Sequence, residues 1–170
     1  SDFHSARLIE NINEKLRRYA VKAEQIKIEV TERGFIDVAK TTPVIQAFRE
    51  AGYEIAIDDF GTGYSNLNNL HALNVDVLKI DKSFVDMLTS NSTSHMIAEH
   101  IIQMANSLRL KIVAEGVETA GQVAWLQKRG VQYCQGWHFA KAMPPQEFMQ
   151  WLANDRISLC PYQQPYQAEI

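Results

Sequence analysis

Two adjacent carboxylates, Asp58 and Asp59, stand where an apolar segment runs into a glycine-containing loop. The three residues before them are apolar, and Gly61 and Gly63 follow. Carboxylate oxygens at a loop suit Mg²⁺ or Mn²⁺, which prefer hard oxygen ligands. An Asp that caps a turn beside a solvated neighbour would give the same pattern. The doublet alone therefore leaves a metal site and a turn both open.

A lysine, Lys79, lies inside another short apolar segment. In a strand, alternation puts Lys79 on the same face as Val77 and on the face opposite Leu78 and Ile80. If Leu78 and Ile80 pack against helices, Lys79 points to the other side of the sheet, where a buried cation requires anionic partners. A solvated lysine on an edge strand is the alternative.

Three more polar residues end apolar segments in the same way. Glu29 and Glu115 are carboxylates after apolar runs, and Gln135 follows a third run. Gln135 could orient a water molecule or a phosphate oxygen, although a structural hydrogen-bonding role is also open. Glu32 and Glu118 trail three residues behind Glu29 and Glu115, and we expect them to hold loops or cap helices.

These residues can form one site only if the fold brings the ends of several strands together. Five short segments rich in Val and Ile predict β-strands. They cover residues 26–31, 54–60, 75–81, 110–116 and 131–135.

Helical patterns separate these strands. Capping residues, prolines and glycines mark their expected limits. The first predicted helix has Thr42 as its N-cap and Pro43 as its first residue, and Gly52 follows its end. The second covers residues 93–109, the third runs from Thr119 to Gly130, and the last begins at Pro144 and Pro145.

Strands that alternate with helices predict parallel βα units, either in an open doubly wound sheet or in a (β/α) barrel. In a barrel, the carboxyl ends of all strands ring one mouth, where active sites of this fold lie. An open sheet usually has a glycine-rich phosphate loop after an early strand, and the sequence shows none. A TIM-like (β/α)8 barrel is therefore predicted. Such barrels typically have about 250 residues, so we expect about three N-terminal βα units to be missing.

Composition limits the class of protein. The chain has 170 residues, of which 46% are apolar and 22% charged, as in one soluble globular domain. Residues 1–155 are interpreted as one partial domain and 156–170 as a C-terminal tail. Cys134 and Cys160 lack the spacing of a zinc site, and we expect them to be buried or inert thiols.

Charge and hydropathy exclude further classes. A net charge of −3 offers no basic footprint for a DNA or RNA polymer. No apolar run approaches the roughly 18 residues of a membrane helix, and no signal peptide is visible, so a cytoplasmic location is expected. The chain begins with Ser1 and not with Met. We therefore expect an upstream sensory or regulatory domain in the same polypeptide, with or without a membrane anchor.

Five motifs, in order along nearly the whole chain, resemble those of the EAL domains that hydrolyse cyclic di-GMP. The five segments are Ile28 to Glu32, Asp58 to Ser65, Leu78 to Val85, Val113 to Thr119, and Gln135 to Trp137.

The resemblance implies a role for each candidate residue. Glu29 and Asp58 would be metal ligands, with Asp59 serving a second metal site. Lys79 and Glu115 would hold and activate the attacking water. Gln135 would assist at the second metal, and Glu32 would anchor the loop from Gly61 to Asn68. The implied cofactors are two Mg²⁺ or Mn²⁺ ions per site.

The implied activity is that of a bacterial signalling phosphodiesterase, which opens cyclic di-GMP to linear pGpG and so regulates biofilm formation and motility. A homodimer is also implied. The family's naming Glu-Ala-Leu motif and an Asn ligand are absent from these residues, so residues 1–170 alone are expected to be inactive. The alternative is a degenerate EAL domain that acts as a cyclic di-GMP receptor or a protein-interaction module.

Overall fold

The computed structural model of the chain describes residues 6–31, 38–61, 73–89 and 93–154. Within these ranges, the chain forms five parallel strands, with helices between most of them. The strands are β1 (Lys27–Thr31), β2 (Glu54–Phe60), β3 (Val77–Ile80), β4 (Lys111–Ala114) and β5 (Tyr133–Cys134). The helices are α1 (Ala6–Arg18), α2 (Val38–Glu50), α3 (Lys82–Asp86), α4 (Thr93–Ser107), α5 (Ala120–Gln127) and α6 (Pro145–Asn154), with 3₁₀ turns at Ala23–Gln25 and Met87–Thr89. All five predicted strands are present, and β2 has the predicted bounds.

The order of the strands identifies the kind of sheet. The five strands lie side by side in chain order, and every neighbouring pair is parallel. A doubly wound sheet reverses its strand order at a switch point, whereas a barrel adds each strand beside the previous one. The sheet with its helices is therefore a sector of a TIM-like barrel, as predicted.

A contact between the outermost strands shows that the sheet is strongly curved. Nζ of Lys27 on β1 lies 5.4 Å from the ring centre of Tyr133 on β5. Four strand spacings separate these strands, which is about 19 Å in a flat sheet. The two side chains and the 5.4 Å between them are together too short to span the width of a flat sheet. The sheet therefore curls, and side chains on its concave face converge.

The helix-facing side of the sheet forms the hydrophobic core. Leu78 and Ile80 of β3 are 0% and 1% exposed and belong to one cluster with Ile55 and Ile57 of β2. Because side chains alternate along a strand, Lys79 lies on the opposite, concave face. The inward position of Lys79 was predicted on the condition that Leu78 and Ile80 pack against the helices, and they do.

Four helices, α1, α2, α4 and α5, end with the same backbone arrangement. A residue with positive φ donates its N–H to the carbonyl three residues back, and the next residue donates to the carbonyl five residues back, as in the Schellman motif. At these four helix ends, the residues with positive φ are Ala20, Gly52, Arg109 and Gly130. Gly52 and Gly130 confirm the predicted helix ends. The predicted helix over 93–109 ends two residues early, because Arg109 already has the left-handed conformation.

The predicted start of the second helix was wrong. Thr42 and Pro43 do not begin it, since α2 starts at Val38 and contains Pro43 in its interior. An internal proline removes one helical hydrogen bond. Thr41 and Ile45 are buried on either side of Pro43. Packing of this turn against the core therefore outweighs the local preference.

The start of α5 agrees with the sequence and adds an unexpected connection. Thr119 is the N-cap and forms a capping box with Gln122. The buried Gln122 carboxamide accepts hydrogen bonds from the N–H groups of Glu118 and Thr119, and it donates to the carbonyl of Val85 at 3.1 Å. One side chain therefore ties the loop after β4 to α3.

Replacement of Gln122 by Ala should lower the free energy of unfolding by about 2 kcal/mol, because it leaves two N–H groups and a buried carbonyl without their partner. Urea denaturation followed by circular dichroism measures this change. Gln103→Ala on the exposed face of α4 is the matched control and should stay within about 0.5 kcal/mol. Equal losses in the two variants would contradict a structural role for the Gln122 carboxamide.

None of the helices in the described parts of the chain combines the length and the apolar character that a bilayer crossing requires.

Candidate functional site

A lysine stands at the centre of the polar residues on the concave face. Lys79 is 8% exposed, and its Nζ lies 2.8 Å from Oε1 of Glu29, 2.9 Å from Oδ1 of Asp58 and 2.9 Å from Oε1 of Glu115. These carboxylates come from β1, β2 and the residue after β4. The predicted inward orientation of Lys79, with carboxylate partners on neighbouring strands, is confirmed.

The protonation state of Lys79 follows from this environment. Burial disfavours the charged ammonium, but the adjacent carboxylates of Asp58, Glu29 and Glu115 outweigh burial and raise the pKa of Lys79 above its ordinary value. Lys79 therefore carries a positive charge at neutral pH and can donate hydrogen bonds, but it cannot accept a proton.

A bulge in β2 brings the two adjacent aspartates to one site. In a regular strand, Asp58 and Asp59 would point to opposite faces. The register between β2 and β3 shifts between Ile57 and Phe60, and Asp59 has a left-handed φ of 56°. Asp tolerates this conformation better than most residues, and backbone irregularities of this kind cluster at functional sites.

Three carboxylates are close enough to share a cation. Oxygen atoms of Asp58, Asp59 and Glu115 all lie within 4.8 Å of one another. Asp58 Oδ1 is buried and, although charged Lys79 lies beside it, receives no well-aligned hydrogen bond from any described residue. A buried carboxylate oxygen without such a bond is suited to a metal ion, and this all-oxygen set matches Mg²⁺ or Mn²⁺.

Glutamine 135 reaches the same cluster from the last strand. Its Nε2 donates a long hydrogen bond of 3.4 Å to Oε1 of Glu115. The following Gly136 packs against the backbone of Val117, where a Cβ atom would lie 2.2 Å from the Val117 oxygen. A side chain at residue 136 would displace this turn, so the glycine fixes where Gln135 leaves the sheet.

Every candidate site residue within the described ranges lies in this one cluster. Glu29 contacts Lys79 but is 47% exposed in its side chain and lies outside the three-carboxylate group. Glu115, expected to act on water, also belongs to that group. Glu32 and the loop after Gly61 lie outside the described residues. Sequence reasoning missed the support from Gln122, although Thr119-x-x-Gln122 has the spacing of a capping box.

Comparison with known proteins points in the same direction. A model of the EAL domain family matches residues 1–142. The chain is 48% identical over 147 residues to the Escherichia coli protein named "Probable cyclic di-GMP phosphodiesterase PdeB", and this match covers 86% of the chain and 28% of PdeB. The chain thus spans less than a third of that relative.

Two solved structures share the fold. The EAL domain of Mycobacterium smegmatis DcpA superposes with a TM-score of 0.82 at 33% identity, over 89% of the chain and 69% of that domain. Klebsiella pneumoniae BlrP1, in a complex with manganese and cyclic di-GMP, gives a TM-score of 0.75 at 33% identity, over 82% of the chain and 36% of BlrP1. The shared fold, the matched residues and the clustered carboxylates lead to one conclusion: this chain belongs to the EAL domain family.

Proposed function

We propose that this chain carries the catalytic residues of a metal-dependent phosphodiesterase that hydrolyses cyclic di-GMP to linear pGpG. The observation that carries the proposal is the convergence of three carboxylates on a single buried ammonium near the carboxyl ends of neighbouring strands, with a fourth carboxylate, that of Asp59, beside two of the three. This is the mouth at which barrel enzymes build their active sites.

The proposed site would hold two divalent cations. Glu29 and Asp58 would hold one ion, and Asp59 would hold the second together with Asp58 and Glu115, whose oxygens lie near it. When bound, Mg²⁺ or Mn²⁺ would polarise the phosphodiester and lower the pKa of a water molecule. With four carboxylates against one ammonium, the mouth is negatively charged, so an anionic substrate requires such cations.

The remaining polar groups have complementary tasks. The Lys79 ammonium donates hydrogen bonds and can orient an attacking water or stabilise negative charge on a phosphate oxygen. Glu115 accepts hydrogen bonds, and its contacts with Lys79 and Gln135 fix its orientation. Gln135 would hold a water molecule or phosphate oxygen beside Glu115. Loop anchoring by Glu32 remains a prediction from the family resemblance.

The substrate is inferred from the relatives. PdeB is named as a cyclic di-GMP phosphodiesterase, and the BlrP1 structure contains cyclic di-GMP. The homodimer, the upstream regulatory domain and the cytoplasmic location belong to the same proposal.

The full-length protein should convert cyclic di-GMP to pGpG only when Mg²⁺ or Mn²⁺ is present, because the acidic mouth repels phosphates without cations. The protein is stripped with a chelator, then assayed by chromatography with and without each metal. Bis(p-nitrophenyl) phosphate serves as a generic phosphodiester control. Undiminished hydrolysis after chelation would overturn the metal-dependent mechanism, whereas metal-dependent binding without turnover would indicate a cyclic di-GMP receptor instead.

A further inference from the structure

The loop that follows Glu115 is covered by the side chain of Lys82, the first residue of α3. A Cβ atom placed on Gly116 would lie 2.3 to 2.7 Å from Cβ, Cγ and Cδ of Lys82. Gly116 also has a left-handed φ of 67°. The hydrocarbon stem of Lys82 therefore lies directly on the backbone next to Glu115. It occupies the space that a side chain at residue 116 would need, and this space is available because residue 116 is glycine.

The far end of the Lys82 side chain is held by two carboxylates. Its Nζ lies 2.7 Å from Oδ1 of Asp86, one turn along α3, and 2.8 Å from Oε1 of Glu118, in the loop after β4. All three side chains are between 41% and 48% exposed, so these ion pairs contribute little to stability. The tighter contact of Lys82 is that of its stem with the backbone at Gly116.

The backbone of Glu115 is fixed on its other sides. Its N–H donates to the carbonyl of Ile80 at 3.0 Å, and the N–H of Val117 donates to the carbonyl of Gln135 at 3.0 Å. Gln122 adds its bond to Val85 of α3. The Lys82 stem closes the remaining side at Gly116, directly beside a carboxylate of the three-membered cluster.

We propose that Lys82 is a positioning residue: its hydrocarbon stem, more than its charge, holds the backbone at Gly116 so that the Glu115 carboxylate stays beside Asp58 and Asp59. This inference rests on the proposed metal-dependent function. It extends that function to a residue outside the cluster of Asp58, Asp59 and Glu115.

The test measures Mn²⁺ affinity of the full-length protein by the electron paramagnetic resonance signal of free Mn²⁺. Lys82→Ala removes the stem and should weaken Mn²⁺ binding about tenfold, as supporting residues around metal ligands do. Lys82→Met keeps a long stem without charge, and Lys82→Arg keeps both. These two variants should bind close to the unsubstituted protein. Lys128→Ala, an exposed lysine at the end of α5, is the control.

A pair of glycines tests the same contact from the other side and does not require that Lys82→Ala folds. Gly116→Ala must displace the Lys82 stem and should also weaken Mn²⁺ binding. Gly130→Ala should not, because Gly130 has a similar left-handed φ of 79° but its new methyl group would meet its nearest neighbouring atom only at 3.7 Å. Thermal unfolding in chelator shows whether each variant is folded before metal is added.

Three results would be decisive against these ideas. Unchanged Mn²⁺ affinity in Lys82→Ala and Gly116→Ala would overturn the positioning role. Equal losses in Lys82→Ala and Lys82→Met would assign the effect to charge and overturn the role of the stem. Absence of Mn²⁺ binding by the unsubstituted protein would instead contradict the proposed function, and with it the positioning role.

Discussion

Replacement of Asp58 by Asn in the full-length protein should lower kcat for cyclic di-GMP hydrolysis by more than about 100-fold. Loss of a supporting residue around a metal site typically costs 10- to 100-fold, and Asp58 would be a direct ligand. Asn keeps the shape of the side chain but removes the charge from a buried oxygen that receives no well-aligned hydrogen bond. Steady-state assays at saturating Mn²⁺ measure the loss, and circular dichroism checks the fold.

The matched control lies at the other end of the same strand. Glu54 begins β2, where it pairs with Lys27 and Lys111, and these cations hold the pKa of Glu54 below its ordinary value, with Lys111 the stronger influence. Glu54→Gln removes one carboxylate charge from β2 far from the mouth and should leave kcat unchanged. Wild-type turnover and metal dependence in Asp58→Asn would show that the site is wrongly assigned.

Replacement of Lys79 by Met should destabilise the metal-free protein by about 2 kcal/mol. Breaking a buried ion pair typically costs about 3–5 kcal/mol, and the partial exposure of Glu29 reduces the penalty. Without the ammonium, the carboxylates of Glu29, Asp58 and Glu115 repel one another. Divalent cations would replace the lost charge, so Mn²⁺ should stabilise Lys79→Met more than it stabilises the unsubstituted protein, although turnover is lost.

Urea denaturation with and without Mn²⁺ measures both effects. Lys111→Met is the control, because Lys111 is half-exposed and pairs with Glu54 at the opposite end of the sheet. Its loss should be small, and Mn²⁺ should not change it. A smaller stabilisation of Lys79→Met by Mn²⁺ than of the unsubstituted protein would contradict the idea that Lys79 balances the charge of the metal ligands.

The sequence predicted the parts of this site that depend on regular periodicity. Alternation along β3 puts Lys79 on the face opposite Leu78 and Ile80. Because those two residues pack against helices, Lys79 lies on the inner face of the sheet. Parallel strands in chain order then bring the strand ends to one mouth. These two rules account for the contacts of Lys79 with Glu29, Asp58 and Glu115.

Irregular backbone was not predictable in the same way. Periodicity assigns Asp58 and Asp59 to opposite faces, and only the bulge with its left-handed residue brings them together. Ala20 and Arg109 end their segments in a conformation usually occupied by glycine, so no local signal marks them. The interior position of Pro43 depends on burial of Thr41, which is a tertiary effect.

The chain order of the strands has a consequence for synthesis on the ribosome. Glu29 and Asp58 emerge before Lys79, so a nascent chain that has paired only β1 with β2 holds two carboxylates together without their cation. Addition of β3 brings the ammonium and satisfies both at once. Because domains fold from the N-terminus during translation, β3 is the first of the five strands that brings a cation to these two carboxylates. Glu115 then joins a site whose centre is already in place.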